Sequence, residues 1–152
     1  MKKLFTLLFA IASATAYAEP TVVAPSVKTP TSFAVFIDRA SYDRCREAVE
    51  AYRAAVQADG LGTYIICDDW QSPDEVRERI LALASDKRMP LEGVVFVGDV
   101  PIAMLRDAQH LSSAFKMNQA ADRKKSSIPS DRFYDDFDLK FDFIDRDADN
   151  PL

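Results

Sequence analysis

Histidine and tryptophan each occur once in the 152 residues, cysteine twice and glycine four times. The shortage of glycine matters most after the first apolar run. There Ile37-Asp38-Arg39-Ala40 offers no close backbone approach for a pyrophosphate, so no dinucleotide site is expected. Basic residues are outnumbered, 19 Lys and Arg against 24 Asp and Glu. Nucleic acid rewards Lys/Arg patches, so it is not an expected partner. The one basic cluster, Arg123-Lys124-Lys125, lies in a polar stretch and reads as a solvated loop. The apolar stretch at residues 4–12 falls well short of the roughly 20 residues that cross a bilayer as a helix.

That short stretch belongs to a different pattern. Met1-Lys2-Lys3 is a positive start, residues 4–12 are an apolar core, and Ala16-Tyr17-Ala18 is an A-x-A cleavage site. Residues 1–18 therefore read as a signal peptide, and the chain as exported to the periplasm, the cell surface or the medium. With no Cys at the cleavage site, no lipoprotein anchor is expected, and no membrane span remains once the leader is removed. Cleavage leaves 134 residues beginning at Glu19, with 17 basic against 24 acidic side chains and a formal charge of −7. That length suits one small domain.

In an exported chain, Cys45 and Cys67 are a disulfide candidate. Cys45 falls in the first turn of a helix after the first strand and Cys67 ends the second strand, which brings both to one edge of the sheet. Two separate buried thiols are the equal alternative. Neither has a neighbouring histidine, so neither reads as an activated nucleophile.

Residues 19–31, with three prolines, read as a linker or extended arm. From residue 32 the pattern is regular. Phe33-Ala-Val-Phe-Ile37 is a strand buried on both faces. Residues 41–59 carry apolar side chains at helical spacing and end at Gly60 and Gly62. Tyr64-Ile-Ile-Cys67 is a second buried strand. Ser72-Pro73-Asp74-Glu75 then starts a helix running to about Lys87, with Ser72 as cap, Pro73 in the first helical position and Glu75 completing a capping box. Val94-Val-Phe-Val97 is the third strand. The expected fold is α/β: a Rossmann-like parallel sheet with flanking helices over residues 32–152. Residues 102–117 are expected to form a short helix, 119–127 a polar loop, and 140–144 a half-exposed strand. The chain reads as an incomplete domain, because three strands make a thin core.

Ligands of an open parallel sheet bind outside the carboxyl ends of its strands. Asp38, Asp68, Asp69 and Asp99 follow strand ends, where Asp is also a common turn former and cap. Asp99 stands out because Gly98 lets the backbone turn sharply before it. Asp131, in the carboxylate-rich segment Ser130-Asp131-Arg132-Phe133-Tyr134-Asp135-Asp136-Phe137-Asp138, would pair with a cationic substrate side chain. The alternatives for Asp131 are an internal ion pair to Arg132 or Arg106, or a turn cap.

Val97-Gly98-Asp99-Val100-Pro101 together with Pro129-Ser130-Asp131-Arg132-Phe133-Tyr134-Asp135-Asp136 resembles the gingipain-type cysteine peptidases. The resemblance spans about Phe33 to Asp138. It implies a Rossmann-like first subdomain, followed in the family by a caspase-like second subdomain that holds a His-Cys pair. In arginine-specific members the Asp matching Asp131 lines the pocket for the basic side chain. By that resemblance Asp131, with Asp99, Tyr134 and Asp136, is a substrate-binding candidate. Other members keep the segment with different preferences, so arginine specificity does not follow.

The family's catalytic His and Cys lie downstream of these segments. His110 precedes Asp131, the wrong order for the family's base, and no catalytic residue is assigned in this chain. The expected function is the substrate-pocket side of an exported cysteine endopeptidase, its partners a peptide or protein substrate and the remainder of the catalytic domain. The alternative is a non-catalytic exported α/β binding module, with the fold but no dyad and with calcium as a candidate requirement. A third reading, a small-molecule enzyme using Asp99 and Asp131, has no complete nucleophile, base or metal set. No organic cofactor is expected. Asp145, Asp147 and Asp149 mimic the opening of a calcium loop, although Asn150 stands where that loop needs Gly. Calcium is the cation such a turn would take, and a solvated acidic turn is the alternative.

Overall fold

Thr31–Asp38 is apolar on both sides of the pleat and forms an interior strand, β2, of a four-stranded sheet. The computed structural model describes residues 19–106, 118 and 126–146. In chain order the elements are β1 Thr21–Val23, β2, α1 Arg39–Ala58, β3 Leu61–Asp68, α2 Pro73–Ala84, β4 Leu91–Val97, β5 Met104–Leu105, β6 Ile128–Pro129 and the single helical turn α3 Arg132–Asp135. The sheet order is β1-β3-β2-β4, and β5 pairs with β6 in a separate two-stranded ribbon.

β2 is parallel to β3 and to β4, as expected of strands joined by helical crossovers. The sheet is mixed, however, not wholly parallel. β1 lies antiparallel on β3 with Thr21 opposite Cys67 and Val23 opposite Ile65. The segment expected as a linker thus contains a strand. Thr21, Val22 and Val23 are β-branched and pair well, while Pro20 and Pro25 confine the strand to three residues. Gly62 is likewise a strand residue, opposite Ser32. The helix breaker is Gly60, at φ 98°.

Alternation along β2 divides the core in two. Ala34 and Phe36 face the α2 side, with Ile66, Trp70, Val76 and Ile80. Val35 and Ile37 face α1, with Tyr42, Val49, Ile65 and Cys67. α2 starts as its sequence predicts: the Ser72 hydroxyl accepts from the Glu75 N–H at 3.3 Å, and Pro73 opens the helix. The Glu75 carboxylate reaches back one residue further than a capping box does, accepting from the Gln71 N–H at 2.9 Å.

Beyond β4 the expected helix over 102–117 does not form in its described part. Ser130 N–H donates to the Ala103 carbonyl at 3.1 Å, and β5 pairs with β6, so these backbone groups bond across to the distant segment 128–130. Residues 107–117 and most of 119–127 lie outside the described residues. The expected strand at 140–144 is not formed either. Arg77 is the reason. Its guanidinium donates to the carbonyls of Phe133 (2.7 Å), Asp136 (3.0 Å) and Leu139 (3.2 Å), and lies over the rings of Phe133 and Phe141. One side chain of α2 therefore shapes the segment following α3 and draws Phe141 against Phe133, with ring centroids 5.0 Å apart.

Hydrogen bonds from a charged donor are worth about 1.5–3 kcal/mol each when partly buried. Arg77→Ala is expected to lower stability by about 2 kcal/mol, allowing for water reaching the freed carbonyls. Arg77→Lys, which lacks the planar fork, should restore less than half. Urea unfolding measures both. Equal stability of the Arg77→Lys variant and the wild type would show that charge alone, not the fork, holds the segment.

Candidate functional site

At the carboxyl ends of β2 and β4 the chain leaves the sheet in two directions, and Asp38 ties them together. Its side chain caps α1, with Oδ1 accepting from the Ser41 N–H at 2.8 Å. Oδ2 accepts from the Asp99 N–H, also at 2.8 Å, in the turn after β4. Gly98 makes this close approach possible. It sits at φ 75°, and a Cβ there would lie 2.0 Å from Asp38 Oδ2 and 2.3 Å from Ser41 Oγ. Burial pushes the Asp38 carboxyl pKa upward. Hydrogen bonds from the Ser41 hydroxyl, the Ser41 N–H and the Asp99 N–H outweigh that effect and hold it below the usual carboxylate range.

The turn anchored in this way forms one wall of a cavity of about 430 Å³. Gly98, Val100, Pro101, Ile102 and Ala103 come from the first of the two sequence segments singled out above and the residues just after it, and Pro129, Ser130, Asp131 and Tyr134 from the second. Phe96 also lines it. Two segments thirty residues apart thus share one cleft. Phe96 and Tyr134 pack edge-on with centroids 4.9 Å apart, and the Tyr134 hydroxyl donates to the Pro101 carbonyl at 2.5 Å. Tyr134 is 4% exposed. Its burial, and then the negative field of Asp131, push its pKa above the ordinary phenol value. It fastens the two walls and lines the cleft with its ring while its hydroxyl is already engaged.

The four sequence candidates therefore separate. Asp131 is exposed at the rim, and its side chain neither caps α3 nor forms an ion pair or hydrogen bond among the described residues. Arg132 pairs instead with Asp136, at 3.7 Å. Asp136 also accepts from the Leu139 N–H, so it organises its own turn and does not line the cleft. Asp99 is exposed beside the cleft and contributes its backbone, not its carboxylate, to the turn. The residue that sequence reasoning undervalued is Asp38. The available signal was a strand-ending Asp three residues before Ser41, the spacing of a helix cap.

Asp68 and Asp69, also expected at this edge, are engaged by Arg39, with N–O separations of 3.7 and 3.0 Å. The two cysteines are separate thiols and not a disulfide. Cys45 Sγ donates to the Ser41 carbonyl at 2.9 Å, where α1 departs from helical dihedrals, and Cys67 is packed in the core with its pKa raised by burial. Asp145 is exposed and accepts from the Arg146 N–H at 2.8 Å. Asp147, Asp149 and His110 lie outside the described residues. Among the described residues no group of three or more His, Cys, Asp or Glu is arranged to hold a metal ion, and no helix is long and apolar enough to cross a membrane.

The arrangement offers a cleft of mixed polarity with one uncommitted carboxylate among its lining residues, which suits a side chain with an apolar stem and a cationic end. Its anchor is testable by pH. Because the folded-state pKa of Asp38 is depressed, its stabilisation is present above the ordinary carboxylate value, near 3.8, and is lost as pH falls through the folded value. Wild type should therefore lose more stability than Asp38→Asn over that acidic interval, as measured by unfolding at stepped pH. Parallel losses in the two proteins would remove Asp38 from this role. No family model matches the chain, and neither the curated proteins nor the solved structures compared with it contain a match.

Proposed function

We propose that this chain is the substrate-pocket side of an exported cysteine endopeptidase of the gingipain type, built on a Rossmann-like, caspase-related first subdomain. A single observation carries the reading: from the two segments that resemble that family, Gly98, Val100 and Pro101 together with Pro129, Ser130, Asp131 and Tyr134 line one cleft. The remainder of the catalytic domain would supply the His-Cys pair. There a thiolate attacks the peptide carbonyl and the imidazole carries the proton to the leaving amine. Within this chain the residues bind and orient. The apolar walls take the stem of a substrate side chain, Asp131 faces its charge, and Asp38 holds the turn that sets the wall's position. The chain alone is expected to be inactive towards peptides, since Cys45 bonds the Ser41 carbonyl and Cys67 is buried.

Substrate contact can be measured without catalysis. Short peptide amides ending in Arg, Lys or norleucine, titrated into labelled protein, should separate by charge. The basic peptides should shift the amides of Gly98, Val100, Ala103 and Ser130, and norleucine should shift them less. An exposed ion pair is worth up to about 1 kcal/mol, so Asp131→Asn should weaken the basic peptides by about fivefold and leave norleucine unchanged. Absence of any shift at these four amides with all three peptides would defeat the pocket reading. Hydrolysis by this chain that a thiol-blocking reagent abolishes would defeat the division of labour.

A further inference from the structure

A second cavity, of about 300 Å³, lies at the end of β3 and is lined by Glu19, Asp68, Asp69, Glu75, Glu78 and Arg79 among others. Its carboxylates come from three separate parts of the chain. Asp68 and Asp69 end β3, Glu75 and Glu78 lie on α2, and Glu19 precedes β1. Arg79 on α2 is the cation among the lining residues, and Arg39 on α1, outside the lining, is already paired with Asp68 and Asp69. Five carboxylates against two guanidiniums leave three negative charges uncompensated. Glu75 accepts from the Gln71 N–H, whereas Glu78 makes no hydrogen bond or ion pair among the described residues.

An acidic cavity alone names no occupant, but strand register and a sequence motif here both point to the residue Glu19, which lines it. The first is register. β1 runs antiparallel to β3 with Thr21 opposite Cys67, and Arg39 holds the Thr21 hydroxyl at 3.5 Å. The paired ladder ends at Thr21 opposite Cys67; extrapolated two residues further, the register would bring Pro20 towards Asp68 and Glu19 towards Asp69. The second is the processing motif Ala16-Tyr17-Ala18, which makes Glu19 the first residue after cleavage.

We propose that this cavity seats the α-ammonium group of the mature chain, created when the leader is removed after Ala18. Hydrolysis of the Ala18–Glu19 bond by a signal peptidase consumes one water. The leader departs with the new carboxylate, and the Glu19 nitrogen changes from a neutral amide to an amine that takes up a proton. Before cleavage that nitrogen carries no charge to offset the cavity. Afterwards it places one positive charge among Asp68, Asp69, Glu75 and Glu78 and pins β1 along β3. Leader removal then adds a charged anchor to a β1–β3 pairing that the full chain already makes. This inference rests on the export reading above and is independent of the peptide cleft.

A free α-amino group ordinarily titrates near 7.7–8.0. Seated among carboxylates it should titrate higher. The extra stability is then full below the ordinary value and is lost as pH rises through the seated one. The experiment compares the processed protein, beginning at Glu19, with the full 152-residue chain. Titration of the labelled Glu19 nitrogen by NMR should give a raised pKa that Glu78→Gln brings back towards the ordinary value. The β1 amides should exchange about threefold more slowly in the processed protein, the scale of an exposed ion pair. An ordinary amine pKa, indifferent to Glu78→Gln, overturns the proposal even where mass spectrometry places the mature terminus at Glu19. A mature terminus elsewhere overturns it together with the cleavage site, while peptide binding at the cleft stays a separate result.

Discussion

The carboxylate of Asp38 joins three elements that the chain reaches at widely separated points. It ends β2, caps α1 and receives the first N–H beyond Gly98 at the end of β4. A buried carboxylate is tolerated only when donors replace its lost water. Here the donors are two backbone N–H groups and the Ser41 hydroxyl. Satisfying that one side chain requires the turn after β4 to lie against the start of α1. The wall of the cleft follows from it, and so does the glycine that gives the carboxylate room.

The opposite wall is set by aromatic packing. Phe36, Phe96, Tyr134, Phe133 and Phe141 form a run of ring contacts from the sheet interior to the surface segment beyond α3. Arg77 binds three carbonyls of that segment from α2. The cleft thus lies between a turn held by a carboxylate and a turn held by aromatic packing and one guanidinium. Neither wall depends on the Asp131 carboxylate, which stays exposed beside them.

Residues 31–97 were legible because their signals are local. Continuous apolar runs gave β2, β3 and β4, and a cap, a proline and an acidic first turn gave α2. Where the sequence reading went astray, distant partners prevailed. The spacing of Ile102 and Leu105 suits a helix, yet Ser130 and β6 take up the backbone there. Alternation over 140–144 suits a strand, yet Arg77 and Phe133 claim the segment first. At the site, residues of the two segments singled out in the sequence line one cleft, and Asp131 among them is exposed. Tyr134 and Asp136 proved to be engaged in holding the fold, a distinction that one-dimensional spacing does not carry.

By itself the sequence determined an α/β chain with two helical crossovers and an acidic balance. These rest on periodicity, capping and composition, which act over a few residues. Tertiary structure alone decided that β1 closes the sheet antiparallel, that Cys45 and Cys67 remain separate thiols, and that the two segments face each other across a cleft. Each of those outcomes depends on which hydrogen-bond donor or ring arrives from a distant part of the chain, and only the folded chain specifies that.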